Sequence, residues 1–357
     1  MGDLPFGYIV PSFFKREDLP SQSGKLLSLA GTLIKRHLKA FRVTPLISLN
    51  SPLSRARGWM ITANLPYQDL TSEKAITFLA KKTLKACLLA VKKGACIAGL
   101  GFDSFNAGVI GAVVARRLPI ALTSGLSYSL AASLEGCLHV LEQKGLDLAQ
   151  TEVVVLGAAG SAGGILAQLL AREGAKYITL VECGKQSLDK LARLIVHESG
   201  VPCKITVQAR KAIRRADLLI AAPGETIEPV WPGDLKPGAL VCDLGWPYFF
   251  SVNASRSRTD VLFFNGGVVR IPDPAFKFAV GNLPPGVIPP TFAEVVILAL
   301  ERRFENYSSG SALRAGKVEE MRRLGCKHGF RLAGVHYRGR ILGNVAKPVR
   351  AGPLVTA

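Results

Sequence analysis

The stretch Thr151–Gly164, TEVVVLGAAGSAGG, decides how the rest of the chain is read. Val153, Val154, Val155 and Leu156 form an unbroken apolar run, the pattern of a strand buried on both faces of a parallel sheet, and Gly157 ends it. Ile165, Leu166, Leu169 and Leu170 follow at helical spacing. Between strand and helix stand Gly157, Gly160 and Gly163. The first permits a tight turn, the second lets main chain approach a pyrophosphate, and the third lets helix and strand pack closely. The phosphates of a dinucleotide would then lie on the N–H groups of the helix N-terminus, among Ala159, Ser161 and Ala162.

Outward from this stretch, a second strand, Tyr177–Val181, ends at Glu182, the place for a carboxylate on the adenosine ribose. Strand-like runs recur at Ala216–Ala222, Ala239–Asp243 and Val261–Phe264, separated by helical or loop segments. The alternation predicts an α/β fold built on a doubly wound, Rossmann-type parallel sheet. A helix is expected over Glu73–Lys93 with Ser72 as its cap, one over Leu26–Ala40, one opened by Thr123-Ser124-Gly125, and two later ones over Thr291–Tyr307 and Arg314–His328. Thr291 and Glu294 have the spacing of a capping box. Residues 1–25, with three prolines, read as an irregular arm, and the chain beyond Gly334 as a mobile tail.

A length of 357 residues suits two domains, and 48% hydrophobic residues argue for a folded core. No apolar run reaches the length of a bilayer span and no leader pattern opens the chain, so the expected location is cytoplasmic. Seven scattered cysteines without a C-x-x-C pair predict neither a metal centre nor a disulfide framework. The net charge of +19 is unevenly spread: residues 1–100 carry 15 Lys and Arg against 5 Asp and Glu, residues 101–300 carry 18 against 17, and residues 301–357 carry 12 against 4. Basic ends around a neutral centre predict an acidic partner. An anionic membrane surface is one candidate. Nucleic acid is disfavoured, because no recognition motif accompanies the charge.

Several stretches together resemble the cyanobacterial long-chain acyl-(acyl-carrier-protein) reductases, fatty aldehyde-forming enzymes of the shikimate dehydrogenase and glutamyl-tRNA reductase-like superfamily. They are Arg57–Leu70, Ile97–Ser104, Thr123–Ser129, Val153–Gly163, Asp243–Pro247, Asn265–Val269, Phe292–Glu294 and Lys327–Phe330, in the family's order along most of the chain. The resemblance implies a substrate and acyl-binding domain over residues 1–145, a nicotinamide-binding domain over 146–275, and a helical region over 276–335 that packs back, with a basic tail over 336–357. It places the cofactor on Gly157, Gly160 and Gly163 and the nicotinamide near Asn265, Gly266 and Gly267, with Pro223 and Gly245 at the other strand ends. The expected partners are an acyl carrier protein or acyl-coenzyme A, both anionic. At the chemistry the chain departs from the family: the nucleophilic cysteine immediately before F-A-E is replaced by Thr291, and Leu126 and Tyr128 stand where the family has polar residues. An alcohol there stays protonated where a thiol would be partly ionised. Three readings remain open: direct hydride transfer to a thioester carbonyl polarised by Thr291, Ser124 or Tyr128; a shikimate dehydrogenase-like reaction on another carbonyl or alcohol; or cofactor and acyl binding without turnover. NAD(P)H is the expected cofactor, with NADH favoured by Glu182 and the preference softened by Lys185.

Overall fold

The computed structural model describes residues 4–14, 41–66, 73–101, 104–222, 230–245, 249–250, 252–276, 283–308, 313–337 and 340–342. The chain forms two units, one of Met1–Leu126 with Glu294–Ala312 and the other of Ser127–Ala293 with Leu313–Ala357.

The first unit is built on a five-stranded sheet of order β2-β3-β1-β4-β5. Its strands are β1 (Leu4–Phe14), β2 (Phe41–Asn50), β3 (Arg55–Pro66), β4 (Ile97–Leu100) and β5 (Ala121–Thr123). All neighbours are parallel except the β2–β3 pair. Helices α1 (Glu73–Lys92) and α2 (Ser104–Ala115) cover one face, where Leu79, Ala86, Cys87 and Ala90 of α1 meet Ile110 and Val114 of α2 over Ile9, Ile61, Ala98 and Leu122 of the sheet. The expected irregular arm is therefore wrong for residues 4–14, which form the middle strand. Pro5 lies at the beginning of β1, where its carbonyl accepts the Cys96 N–H at 2.9 Å, and Pro11 lies beyond Phe6–Ile9, the residues in register with β4, so neither proline interrupts that pairing where an N–H donor is needed. The helix expected over Leu26–Ala40 and the cap Ser72 lie outside the described residues.

The second unit carries a six-stranded, wholly parallel sheet of order β8-β7-β6-β9-β10-β11. The strands are β6 (Glu152–Leu156), β7 (Tyr177–Val181), β8 (Cys203–Thr206), β9 (Leu218–Ala221), β10 (Leu240–Asp243) and β11 (Leu262–Phe264). Counted from β6, the order is 3-2-1-4-5-6, the doubly wound arrangement in which winding reverses between the first and fourth strands. Alternate side chains serve opposite faces. Val154, Leu156, Leu219, Ala221, Val241 and Phe263 pack with Ala209 and Ile213 of α6 (Ala209–Ile213) and Ala254 of α7 (Val252–Ser257). Val153 and Val155 face the other way, towards α4 (Ser161–Arg172), beside which lies α5 (Lys185–Ser199). A helix α3 (Leu126–Gln143) precedes β6.

The carboxyl-terminal part is not purely helical. Besides α8 (Pro290–Leu300) and α9 (Ala315–Lys327), β12 (Gly267–Arg270), β13 (Val287–Ile288), β14 (Arg331–Tyr337) and β15 (Arg340–Leu342) make an antiparallel sheet of order β13-β12-β14-β15. The glycine turn expected over 265–269 thus runs into a strand, and the expected tail contributes the last residues of β14 and the whole of β15. Val268, Val287 and Ala333 form a small apolar core between these strands, with Ile341 against it. That burial outweighs the basic, glycine-containing composition on which the tail reading rested.

Candidate functional site

The loop from β6 to α4 is shaped by its glycines. Gly157 has φ of 69°, which a side-chain-bearing residue rarely adopts, and the N–H groups of Gly157 and Ala158 both donate to the Val181 carbonyl at 3.1 and 3.3 Å, tying the loop to the end of β7. Gly160 is the N-cap of α4 with extended backbone. A Cβ on Gly163 would collide with the Gly157 carbonyl and stand 3.2 Å from Ala222, so helix and strands approach here as only glycine allows. The amides of Ser161, Ala162 and Gly163 belong to the first helical turn, where no intrahelical acceptor exists. Ala159 and Ser161 are exposed, and no bulky side chain belongs to this turn. A phosphate fits this cradle chemically: donor amides, the positive end of the helix dipole and no acidic residue in the first turn.

Glu182 follows β7 and is 4% exposed, its Oε1 accepting the Cys183 N–H at 3.2 Å. At the end of β10 the Asp243 carboxylate accepts the N–H groups of Gly245 and Phe250, each at 3.1 Å, and so holds the loop that contains buried Gly245. Asn265 is fastened twice, its Nδ2 donating to the Asp243 carbonyl at 2.9 Å and its N–H to the His336 carbonyl at 2.6 Å. Gly266 and Gly267 are buried against Ser133 and Ala132 of α3. Pro223 lies outside the described residues. These features define a doubly wound α/β unit whose first crossover can receive a phosphate-bearing ligand.

The three hydroxyl candidates occupy different surroundings. Ser124, buried in the first unit, donates to the Ser308 carbonyl. Beside it the fully buried Glu294 accepts hydrogen bonds at Oε1 from Thr123 Oγ1 and from Ser308 Oγ, the latter at 2.6 Å. Ser308 itself has φ of 58°. Thr291 is not the cap that its spacing to Glu294 suggested: α8 begins at Pro290, with the Phe292 and Ala293 N–H groups donating to the Pro289 carbonyl at 3.0 and 3.2 Å, and Thr291 lies within the first turn at 8% exposure. Tyr128 is buried in the second unit with its hydroxyl against Gly325 of α9. Burial pushes its phenol well above the ordinary value, an effect reinforced by Glu135, so it stays protonated.

No thiol with a resolved shift substitutes for the missing cysteine. Burial raises Cys87 to about 12 and Cys203 to about 11, the opposite of what a nucleophile needs. No group of metal-ligating side chains occurs among the described residues. Residues that reading the sequence passed over are Asp243 and His336, which hold the strand-end loops, and Ser308. The partners of His336 and Ser308 lie far off in the chain, so no local pattern marks them, whereas the Asp243 carboxylate accepts from residues only two and seven positions on.

No protein-family model matches this chain. It is 26% identical to Aminotransferase PigE of Serratia sp. (strain ATCC 39006) over 286 residues, which is 78% of this chain and 33% of that protein. It is 29% identical to Bifunctional protein FolD of Parvibaculum lavamentivorans over 126 residues, 35% of this chain and 34% of that protein. The chain thus spans about a third of the length of these curated relatives. Among solved structures, quinate dehydrogenase from Corynebacterium glutamicum in complex with NAD is 14% identical with a TM-score of 0.33, covering 73% of this chain and 87% of that one. The ligand-free 5-ketofructose reductase of Gluconobacter sp. strain CHM43 is 12% identical with a TM-score of 0.33, covering 90% of this chain and 98% of that one.

Proposed function

We propose that this chain is an oxidoreductase that binds a nicotinamide dinucleotide at the crossover from β6 to α4 and reduces an acyl thioester to an aldehyde. The observation that carries the first half is a coincidence within one parallel sheet: the glycine cradle follows the first strand of a 3-2-1-4-5-6 order, and a buried carboxylate, Glu182, ends the second. The amides of Ser161, Ala162 and Gly163 would hold the pyrophosphate and Glu182 the ribose. Glu182 favours NADH over NADPH, with Lys185 exposed three residues on. Bound there, the reduced nicotinamide supplies a hydride.

The remaining work belongs to the chain's own groups and to the thioester, which the resemblance to the acyl-carrier-protein reductases supports. We assign to Thr291, in the first turn of α8, the donation of a hydrogen bond to the carbonyl oxygen as it gains charge, at a helix end that favours negative charge. A threonine hydroxyl stays protonated, so no acyl-enzyme forms. The tetrahedral oxyanion re-forms its C=O bond, breaks the C–S bond and releases aldehyde, the thiolate taking a proton from water. An aldehyde is also a carbonyl that an aminotransferase accepts, which agrees with the likeness to a protein of that name. The acyl donor is assigned as acyl carrier protein or acyl-coenzyme A on the strength of the basic charge. The residue at 291 also favours a second reading, binding of cofactor and acyl group without turnover.

The test is nicotinamide oxidation with long-chain acyl carrier protein by the native chain and by Thr291→Cys. We expect weak turnover from the first and a gain of about tenfold or more from the second, since a thiol at a helix N-terminus is partly ionised. Inactivity of both with dinucleotide binding intact establishes the non-catalytic reading. Gly163→Val should weaken dinucleotide binding more than about a hundredfold, or about 2.7 kcal/mol, and binding undiminished by it overturns the whole assignment.

A further inference from the structure

We infer that the outer surface of the α1–α2 layer docks on an anionic lipid bilayer. While Leu79, Ala80, Ala86, Cys87 and Ala90 bury one side of α1, the other side carries Phe78, Lys81, Lys85, Leu88 and Lys92. Steps of three and four residues put these five on one straight stripe. The stripe is not purely charged, because Phe78 is 37% and Leu88 39% exposed. Lys93 follows directly, and the end of α2 adds Val113, 44% exposed, with exposed Arg116 and Arg117. None of Lys81, Lys85, Lys92, Lys93, Arg116 and Arg117 makes an ion pair among the described residues. No Asp or Glu follows Glu73 in α1, and α2 contains none.

An ordinary water-facing helix mixes signs and keeps aromatic rings covered. This surface instead sets unpaired cations around apolar side chains. Phe78 and Leu88 are ten residues apart on α1, or about 15 Å of helix axis. That spread fits a continuous apolar layer beneath a plane of phosphates better than one pocket on a protein partner. The Lys82 ammonium lies 5.7 Å from the Phe78 ring centroid and 5.9 Å from that of Phe41, which leaves the outermost lysines to reach the headgroups while the ring dips below them.

The experiment is co-sedimentation of the full chain with vesicles of phosphatidylcholine alone and of phosphatidylcholine with phosphatidylserine. We expect binding to the anionic vesicles only. Each lysine at such a surface is worth about fivefold in partitioning, so Lys81→Gln with Lys85→Gln should lower it about 25-fold, and Lys81→Glu with Lys85→Glu further. Phe78→Ser with Leu88→Ser should lower it several-fold while leaving its salt dependence unchanged. Melting curves of the lysine variants should match the native one, because those side chains are exposed, and the Phe78→Ser with Leu88→Ser chain is compared below its own melting temperature, since each of those side chains is more than half covered. Equal binding to neutral vesicles, no vesicle binding, or anionic binding that neither pair weakens overturns the inference. Retention on an immobilised acidic carrier protein that the lysine pair abolishes, without vesicle binding, overturns it in favour of a protein partner.

Discussion

At Glu182 a single carboxylate is set where a dinucleotide's adenosine ribose would reach the end of β7, and its burial leaves little water to screen it. A 2′-phosphate would meet that charge, so NADH should bind at least about tenfold more tightly than NADPH, about 1.4 kcal/mol. Glu182→Gln should narrow the difference, as titration of both nucleotides by fluorescence would show. NADPH preferred by the native chain would remove Glu182 from its role. The glycine turn and the place of this carboxylate at a strand end are legible in the sequence because each is marked within a few residues of itself. The Glu294 cluster is not, because its hydrogen bonds to Thr123 and Ser308 span 171 and 14 residues and no spacing near Glu294 announces those partners.

Among elements, β6, β7, β9, β10 and β11 could be read because strands buried on both faces are continuous apolar runs. Strands β1 and β2 could not, since prolines interrupt them, and β14 could not, since its sequence, RLAGVHY, mixes basic, small and apolar residues. Strand β14 nevertheless closes the end of β11 through His336, whose N–H donates to the Gly266 carbonyl at 3.1 Å. Burial of the imidazole lowers it from 6.5 to about 4, partly opposed by a hydrogen bond with the Asn265 main chain, and its Nδ1 is buried without a hydrogen-bond partner. In the pH range between those two values the unfolded chain takes up a proton that the folded chain does not. The stabilising effect of a neutral ring is therefore whole above pH 6.5 and is lost as pH falls towards 4, a total of roughly 3 kcal/mol. Urea melts from pH 7 down to pH 4 should show His336→Gln losing less stability than the native chain by about that amount. Parallel curves for the two would mean that the ring is hydrated in the folded state.

Over the whole molecule, chain order conceals how the second unit is completed. A linear reading assigns the nucleotide-binding sheet to one contiguous stretch, yet Leu313–Ala357 belongs to the same unit as Ser127–Ala293. Within that unit Arg322 of α9 donates to Glu135 of α3 at 3.0 Å and to Glu173, just past α4, at 2.5 Å, and burial holds the Glu135 carboxyl above its ordinary range in spite of that partner. Arg322→Ala would leave two partly buried carboxylates without their shared cation and should cost about 2–4 kcal/mol. Ending the chain at Ala312 does far more. It removes β14, with which Gly267–Arg270 pairs, the His336 carbonyl that accepts the Asn265 N–H, and the helix against which Tyr128 is buried. Such a loss exceeds the 5–15 kcal/mol by which a typical domain is held. The shortened chain keeps every residue of the first unit, so its urea melt by circular dichroism should retain that unit's transition but lose that of the second, with no dinucleotide binding, whereas Arg322→Ala should keep both transitions and binding, the second unit melting at an earlier midpoint. A shortened chain that keeps both transitions and binds dinucleotide would mean that the six-stranded sheet is self-sufficient and that the carboxyl-terminal sheet serves some other end than holding the site together.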